Sequence, residues 1–169
     1  TTGDVLFKTN LVDQVKFMYA WIGSNYTKVE RTATWDYLQA FVDEARKQGL
    51  RIHAAINTFV GGNQIDGGTG LLYRDQSKAE WATQMNMQGG ITSVMNTSES
   101  TKFFNPAHPE VQTFLCDLLK DLAGYDLDGI FLDRGRFLNL QTDFSDESRK
   151  QFEAYMGGIK IQNYPEDIL

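Results

Sequence analysis

The sequence predicts an α/β chain of parallel βα units, a partial (β/α)8 barrel of about half the full size. Three observations carry this. Twice an amphipathic helical stretch closes on a glycine and delivers a short apolar strand, the alternation that builds a parallel sheet with helices packed on it. The chain has 169 residues, enough for a single domain, whereas a complete eightfold barrel takes roughly 250. Both ends read as cut: residues 1–13 open without a cap or turn, and the last stretch, IKIQNYPEDIL, stops without an evident strand or cap.

The elements follow in order. Residues 15–21 (VKFMYAW) read as a short strand or buried run. A helix begins around Thr34, with threonine as cap and Asp36 in its first turn. Trp35, Leu38, Phe41, Val42 and Ala45 recur at helical spacing, and Gly49 ends it. Residues 50–57 (LRIHAAIN) form the first apolar strand. Residues 59–100 read as a long irregular loop with two glycine clusters, holding at most a short helix at 78–87; such an excursion is usually functional or disordered. Pro109 then opens a second helix, because its missing N–H costs nothing there. Val111, Phe114, Leu115, Leu118, Leu119 and Leu122 make its apolar stripe, and Gly124 closes it. The strand at 129–133 (GIFLD) follows, and a last helix runs from Ser145 to about Met156, with Asp146 and Glu147 in its first turn. No internal repeat or low-complexity tract interrupts residues 1–169, which read as one domain.

Composition removes several function classes. A formal charge of −6 offers no basic surplus for nucleic-acid phosphates. No run of about 18 apolar residues predicts a membrane span. The N-terminus lacks the basic-then-apolar pattern of a signal peptide, as a mature, processed or excised chain would. One cysteine, Cys116, and two histidines, His53 and His108, rule out an internal disulfide framework and leave little for a zinc site. No ligand spacing supports calcium, and no metal or organic cofactor is expected. The aromatic content fits sugar stacking and an ordinary core equally well.

In parallel α/β architecture the chemistry sits at the C-terminal ends of strands. Two such ends are visible. Asp133 follows three apolar residues and projects from the end of its strand, with Arg134 and Arg136 close behind to hold the carboxylate ionised; the plain alternative is a turn cap or a structural ion pair. His53, Ala55 and Asn57 share one strand face. Asn57 at the strand end suits a hydrogen bond to substrate, whereas a satisfied core histidine is the commoner reading of His53. Asn105, in the turn NPAHP, either fixes that turn or faces the cleft, and His108 serves as a helix N-cap. Asp126 and Asp128 precede their strand, on the wrong end for catalysis, and Ser145, Asp146 and Glu147 are explained by capping.

The segments TTGDVLF, GLRIHAAINTFVGG, FNPAHPEVQTFLCDLLKDLAGYDLDGIFLDRGRF and FSDESRKQFEAYMG together resemble glycosyl-hydrolase-like family ten, bacterial envelope or secreted proteins distantly related to the alpha-amylase barrel. The likeness covers most of the chain, is loosest at residues 63–101, and is most specific in NPAHPEV followed by YDLDGIFLDRGRF. It implies a TIM-type barrel and a glycosidase acting on peptidoglycan or another complex glycan, in the periplasm, in the envelope or outside the cell. It maps the nucleophilic aspartate onto Asp133 and sugar contacts onto Asn57 and His53, and it places Arg136 in a D-R-x-R segment. It also implies a general acid on a later strand and a further strand ahead of TTGD, so the chain alone is expected to be inactive, since hydrolysis needs two carboxylates.

The leading expectation is therefore a retaining glycoside hydrolase with Asp133 as nucleophile, and with His53, Asn57, Asn105, Arg134 and Arg136 as the substrate-binding residues while the glycine-rich loop shapes the cleft. Its rival is a carbohydrate-binding envelope domain that has lost catalysis. A hydrolase of another bond would need a nucleophile elbow or a histidine-rich metal motif, and neither is in the sequence. The glycan, the linkage and the oligomeric state are not written in it.

Overall fold

The computed structural model describes residues 3–30 and 34–168. Thr1 and Thr2 of the TTGDVLF segment and the final Leu169 lie outside the described residues. The chain first forms an antiparallel hairpin, β1 (Phe17–Ile22) and β2 (Asn25–Glu30). Gly23 turns it at a φ of +62°, a conformation that glycine adopts without steric cost. Only the first of these strands was expected. The Tyr19 hydroxyl donates to the Asp66 carboxylate, tying the hairpin to the glycine-rich turn.

Helix α1 (Tyr37–Lys47) starts two residues later than its sequence pattern implied. Asp36, not Thr34, is the cap: its carboxylate accepts the Gln39 N–H at 3.1 Å. A carboxylate at that point also meets the positive end of the helix dipole. Val42 and Tyr37 are buried, but Phe41, on the same stripe, stays 65% exposed. Gly49, at a φ of +66°, turns the chain into β3 (His53–Asn57).

Residues 59–100 are not an irregular loop. They hold β4 (Val60–Asn63), a single helical turn α2 (Leu71–Arg74), a 3-10 turn Gln76–Trp81, and the hairpin of β5 (Gln84–Met87) and β6 (Gly90–Ser93). β7 (Thr101–Phe103) then returns to pair with β4. The helix anticipated at 78–87 is a 3-10 turn followed by a strand. Its physical cause is Gln88-Gly89, a two-residue turn that commits the flanking residues to pair. This region supplies much of the core, including Trp81, Ala82, Met85 and Val94. Fully buried Lys102 holds it together, donating from Nζ to the carbonyls of Val94 and Thr97 at 3.0 Å each.

Helix α3 (Pro109–Ala123) forms as its sequence implies. Pro109 opens it, His108 Nδ1 accepts the Glu110 N–H at 3.3 Å, and Val111, Phe114, Leu115, Leu118 and Leu122 are buried. β8 (Gly129–Asp133) follows and pairs in parallel with β3. Helix α4 (Asp146–Tyr155) begins at the expected cap, with Ser145 Oγ accepting the Ser148 N–H at 3.2 Å. Beyond it the chain is tied back by Glu153, a buried carboxylate that accepts from Lys160 Nζ (2.6 Å), the Ile161 N–H (3.1 Å) and Arg149 Nε (3.2 Å).

The architecture is thus mixed α/β with small sheets. The described strands make four two-stranded sheets, of which β3–β8 is the parallel one, and they do not by themselves close a barrel.

The Lys160 ammonium and the Ile161 amide hold the Glu153 carboxyl down at about 2, well below its ordinary value. A lowered folded-state value means that its stabilisation is complete above about pH 4.5 and is lost as pH falls toward 2. Urea unfolding across this window should therefore show a falling midpoint for the parent chain. Glu153→Gln should start lower at neutral pH and lose less on acidification; parallel curves would remove Glu153 as the cause.

Candidate functional site

The site grows from the β3–β8 ladder. The parallel register sets His53 against Gly129, Ala55 against Phe131 and Asn57 against Asp133. Strand alternation puts His53, Ala55 and Asn57 on one face, while Ile56 on the other is buried toward the helices. The ladder runs one rung further at each end: the Asp128 N–H donates to the Ile52 carbonyl at 2.9 Å, and the Thr58 N–H to the Asp133 carbonyl at 2.7 Å. Asn57 and Asp133 thereby stand side by side where the two strands end, with backbones about 4.8 Å apart.

The opposite end of the ladder is clamped electrostatically. Arg46, in the last turn of α1, donates to Asp126 at 2.7 Å and to Asp128 at 2.9 Å. Asp128 also accepts the Ile52 N–H at 2.7 Å, and this bond, with Arg46, lowers its carboxyl from the ordinary value. These aspartates, expected only to be solvated or to form a turn, pair with Arg46 and tie α1 to the start of the ladder. Tyr125 adds a second tie, its hydroxyl donating to Asp36 at 2.5 Å; burial and this acceptor push it up to about 12.

His53 belongs to this clamped end. It faces Gly129 and lies four residues before Asn57, about 13 Å along the strand. The shared face was read correctly from the sequence, but the length of the strand separates His53 from Asp133 and argues against a common sugar contact.

Beyond β8 the chain turns sharply. Arg134 adopts a φ of +51°, uncommon for a residue with a side chain, and its N–H donates to the Asp133 carboxylate at 2.9 Å. The Arg136 guanidinium donates to the carbonyls of Phe137 (2.9 Å) and Leu138 (2.7 Å). Arg136 therefore braces its own loop, and among the described residues no arginine forms a salt bridge with Asp133. Asp133 itself is exposed.

Asn105 is drawn into the fold rather than the face. It is 1% exposed; its Oδ1 accepts the Ala107 N–H at 2.8 Å and its Nδ2 donates to Ser145 Oγ at 2.8 Å. The same knot contains Asp143, which takes Thr83 Oγ1 and the Gln84 N–H on one oxygen and Ser145 and Ser148 on the other. Buried and bonded at both ends, this carboxamide supports the NPAHP turn.

Sequence reasoning passed over Thr58. It is 7% exposed, and its hydroxyl is the one buried side-chain polar atom among the described residues without a hydrogen-bond partner. Its position directly after the strand-end Asn57 was the available signal. No cluster of three or more potential metal-ligating side chains occurs among the described residues. No helix among them is long and apolar enough to cross a membrane.

Two comparisons relate the chain to known proteins. A profile of the family described as Glycosyl hydrolase-like 10 matches residues 2–162. An S-layer-related protein of Niallia circulans is 33% identical over 141 residues, covering 79% of this chain and 8% of that relative. The chain thus spans about 8% of the length of the curated relative it matches.

A buried hydroxyl without a partner keeps the cost of leaving water with nothing to offset it. Thr58→Val should therefore raise unfolding stability by about 1 kcal/mol, read as a higher urea midpoint at unchanged slope. A lower midpoint would show that the hydroxyl is satisfied in solution.

Proposed function

The chain belongs to the Glycosyl hydrolase-like 10 family, and from that membership we propose that it is the part of a glycoside hydrolase that carries the nucleophile, acting on a complex glycan of the bacterial envelope, peptidoglycan among the candidates. The observation that carries the proposal is the register that brings Asn57 and Asp133 together at the ends of two adjacent parallel strands. An aspartate exposed there is accessible to a sugar, and the carboxamide beside it can bind a ring hydroxyl. Asp133 attacks the anomeric carbon as the glycosidic C–O bond breaks and the leaving oxygen takes a proton from the general acid; water then hydrolyses the glycosyl ester, which is the retaining route. The sequence-derived fold supports the same reading: residues 1–169 form one unit of a (β/α)8 TIM-type barrel, with β3 and β8 neighbouring strands and the His53–Asn57 face turned inward.

Exposed apolar side chains agree with such a barrel. Phe131 and Leu132 in β8 are 62% and 49% exposed, although parallel strands are ordinarily covered on both faces. Further strands and helices of a barrel would cover them. The general acid would come from one of those strands, so the isolated chain is expected not to turn over. The relative named for the S-layer supports an envelope or extracellular location. It also favours a second reading, a glycan-binding envelope domain that uses the same face without cleavage.

Hydrolysis of a glycan panel, including peptidoglycan, by the full-length parent protein and its Asp133→Asn form separates these readings. The hydrolase reading predicts that sugar release falls at least 1,000-fold while the circular dichroism spectrum is unchanged. Undiminished release would remove Asp133 from the mechanism. Equal binding by both forms without any cleavage would establish the binding domain.

A further inference from the structure

The loop that follows Asp133 continues to a concavity. A cavity of about 340 Å³ lies between that loop, the NPAHP turn and α4. Phe137 from the loop, Phe152 from α4 and Tyr164 from the segment beyond α4 contribute aromatic walls, and Ser148 and Gln151 line it with polar atoms.

We propose that this cavity is a second sugar subsite, which receives one pyranose ring of the glycan whose other end lies at Asp133. The inference rests on the glycan reading of the Asp133 face and deepens it. The size is at the lower end of small-molecule pockets, which pair apolar and aromatic walls with a few placed polar groups. A pyranose ring matches that division of labour: its C–H face packs on aromatic rings, and its rim of hydroxyls needs donors and acceptors. Gln151 Nε2 is taken by the Ala107 carbonyl at 3.0 Å, which fixes the carboxamide and leaves Oε1 to accept from a sugar hydroxyl. Ser148 Oγ donates to Asp143 at 2.7 Å and keeps its lone pairs for a donor. Burial and the nearby Asp143 carboxylate push the Tyr164 hydroxyl up to about 12, so it remains a donor at neutral pH.

Arg136 links the two places. By holding the carbonyls of Phe137 and Leu138 it fixes the loop on which the Phe137 ring is mounted, four residues after Asp133. It is a positioning residue for the cavity, which gives a use to the guanidinium that does not reach Asp133.

The test is a length series of cello-, xylo-, malto- and chito-oligosaccharides and peptidoglycan fragments, from two to six sugar units, titrated calorimetrically into the full-length parent protein. The subsite predicts affinity that rises with length for at least one series. Phe137→Ala and Phe152→Ala should reduce the gain for long chains about tenfold and leave the shortest binder unchanged. Phe137→Tyr, which keeps an aromatic wall, should retain the gain, and Tyr164→Phe should lose part of it. Equal losses at every length, or none in the alanine variants, would overturn the subsite, as would a parent protein that cleaves glycan but shows no length dependence. Asp133→Asn separates the two claims. If it leaves hydrolysis intact the catalytic reading fails while the length series still decides the subsite, and absence of both binding and cleavage overturns both.

Discussion

The parallel pairing of β3 with β8 is the interaction on which the other features depend. Because side chains alternate along a strand, a slip of one residue would carry Asn57 to the face opposite Asp133 and turn Ile56 out of the core. Several bonds oppose such a slip at both ends. Arg46 bridges Asp126 and Asp128, Asp128 reaches the Ile52 amide, and the Thr58 amide closes the last rung on Asp133. The core side of the same ladder is fixed by Ile56 against the helical layer. Register and burial are therefore one constraint, and the candidate site is its consequence.

Around that ladder, stability and recognition are divided. The segment between β3 and α3 is a built structure, held by Lys102 and by the buried hairpin residues Met85 and Val94. Asp143, Asn105 and Ser145 join it to the cap of α4, and Glu153 joins α4 to the chain that follows. These knots are built from residues other than the Asn57–Asp133 pair, and Asp133 is exposed. The loop after β8 connects the two regimes: it departs from Asp133 through the left-handed Arg134, is braced by Arg136, and ends with Phe137 in the wall of a cavity.

Much of this was legible in the sequence wherever a signal was local. Pro109, His108 and the leucine stripe defined α3, Ser145 defined the start of α4, and GIFLD and HAAIN defined the two strands with Asp133 and Asn57 at their ends. What escaped depended on pairing over distance. The hairpin of β5 and β6 hid behind glycines that also fit a loop, and β4 becomes a strand only because β7 returns to it. His53 and Asn57 share one strand face, yet the distance along the strand decides what each can touch. Asn105 suited a cleft by sequence, but its partners, Ala107 and Ser145, are visible only in the fold. The exposed Phe131 and Leu132 were legible only as apolar residues, not as uncovered ones.

The register of the parallel ladder can be measured directly in the chain itself by nuclear Overhauser contacts in isotopically labelled protein. The account predicts cross-strand contacts between the backbones of Ala55 and Phe131 and of Asn57 and Asp133, with a slowly exchanging Thr58 amide. Contacts displaced by one residue, or in an antiparallel order, would separate Asn57 from Asp133 and contradict the site.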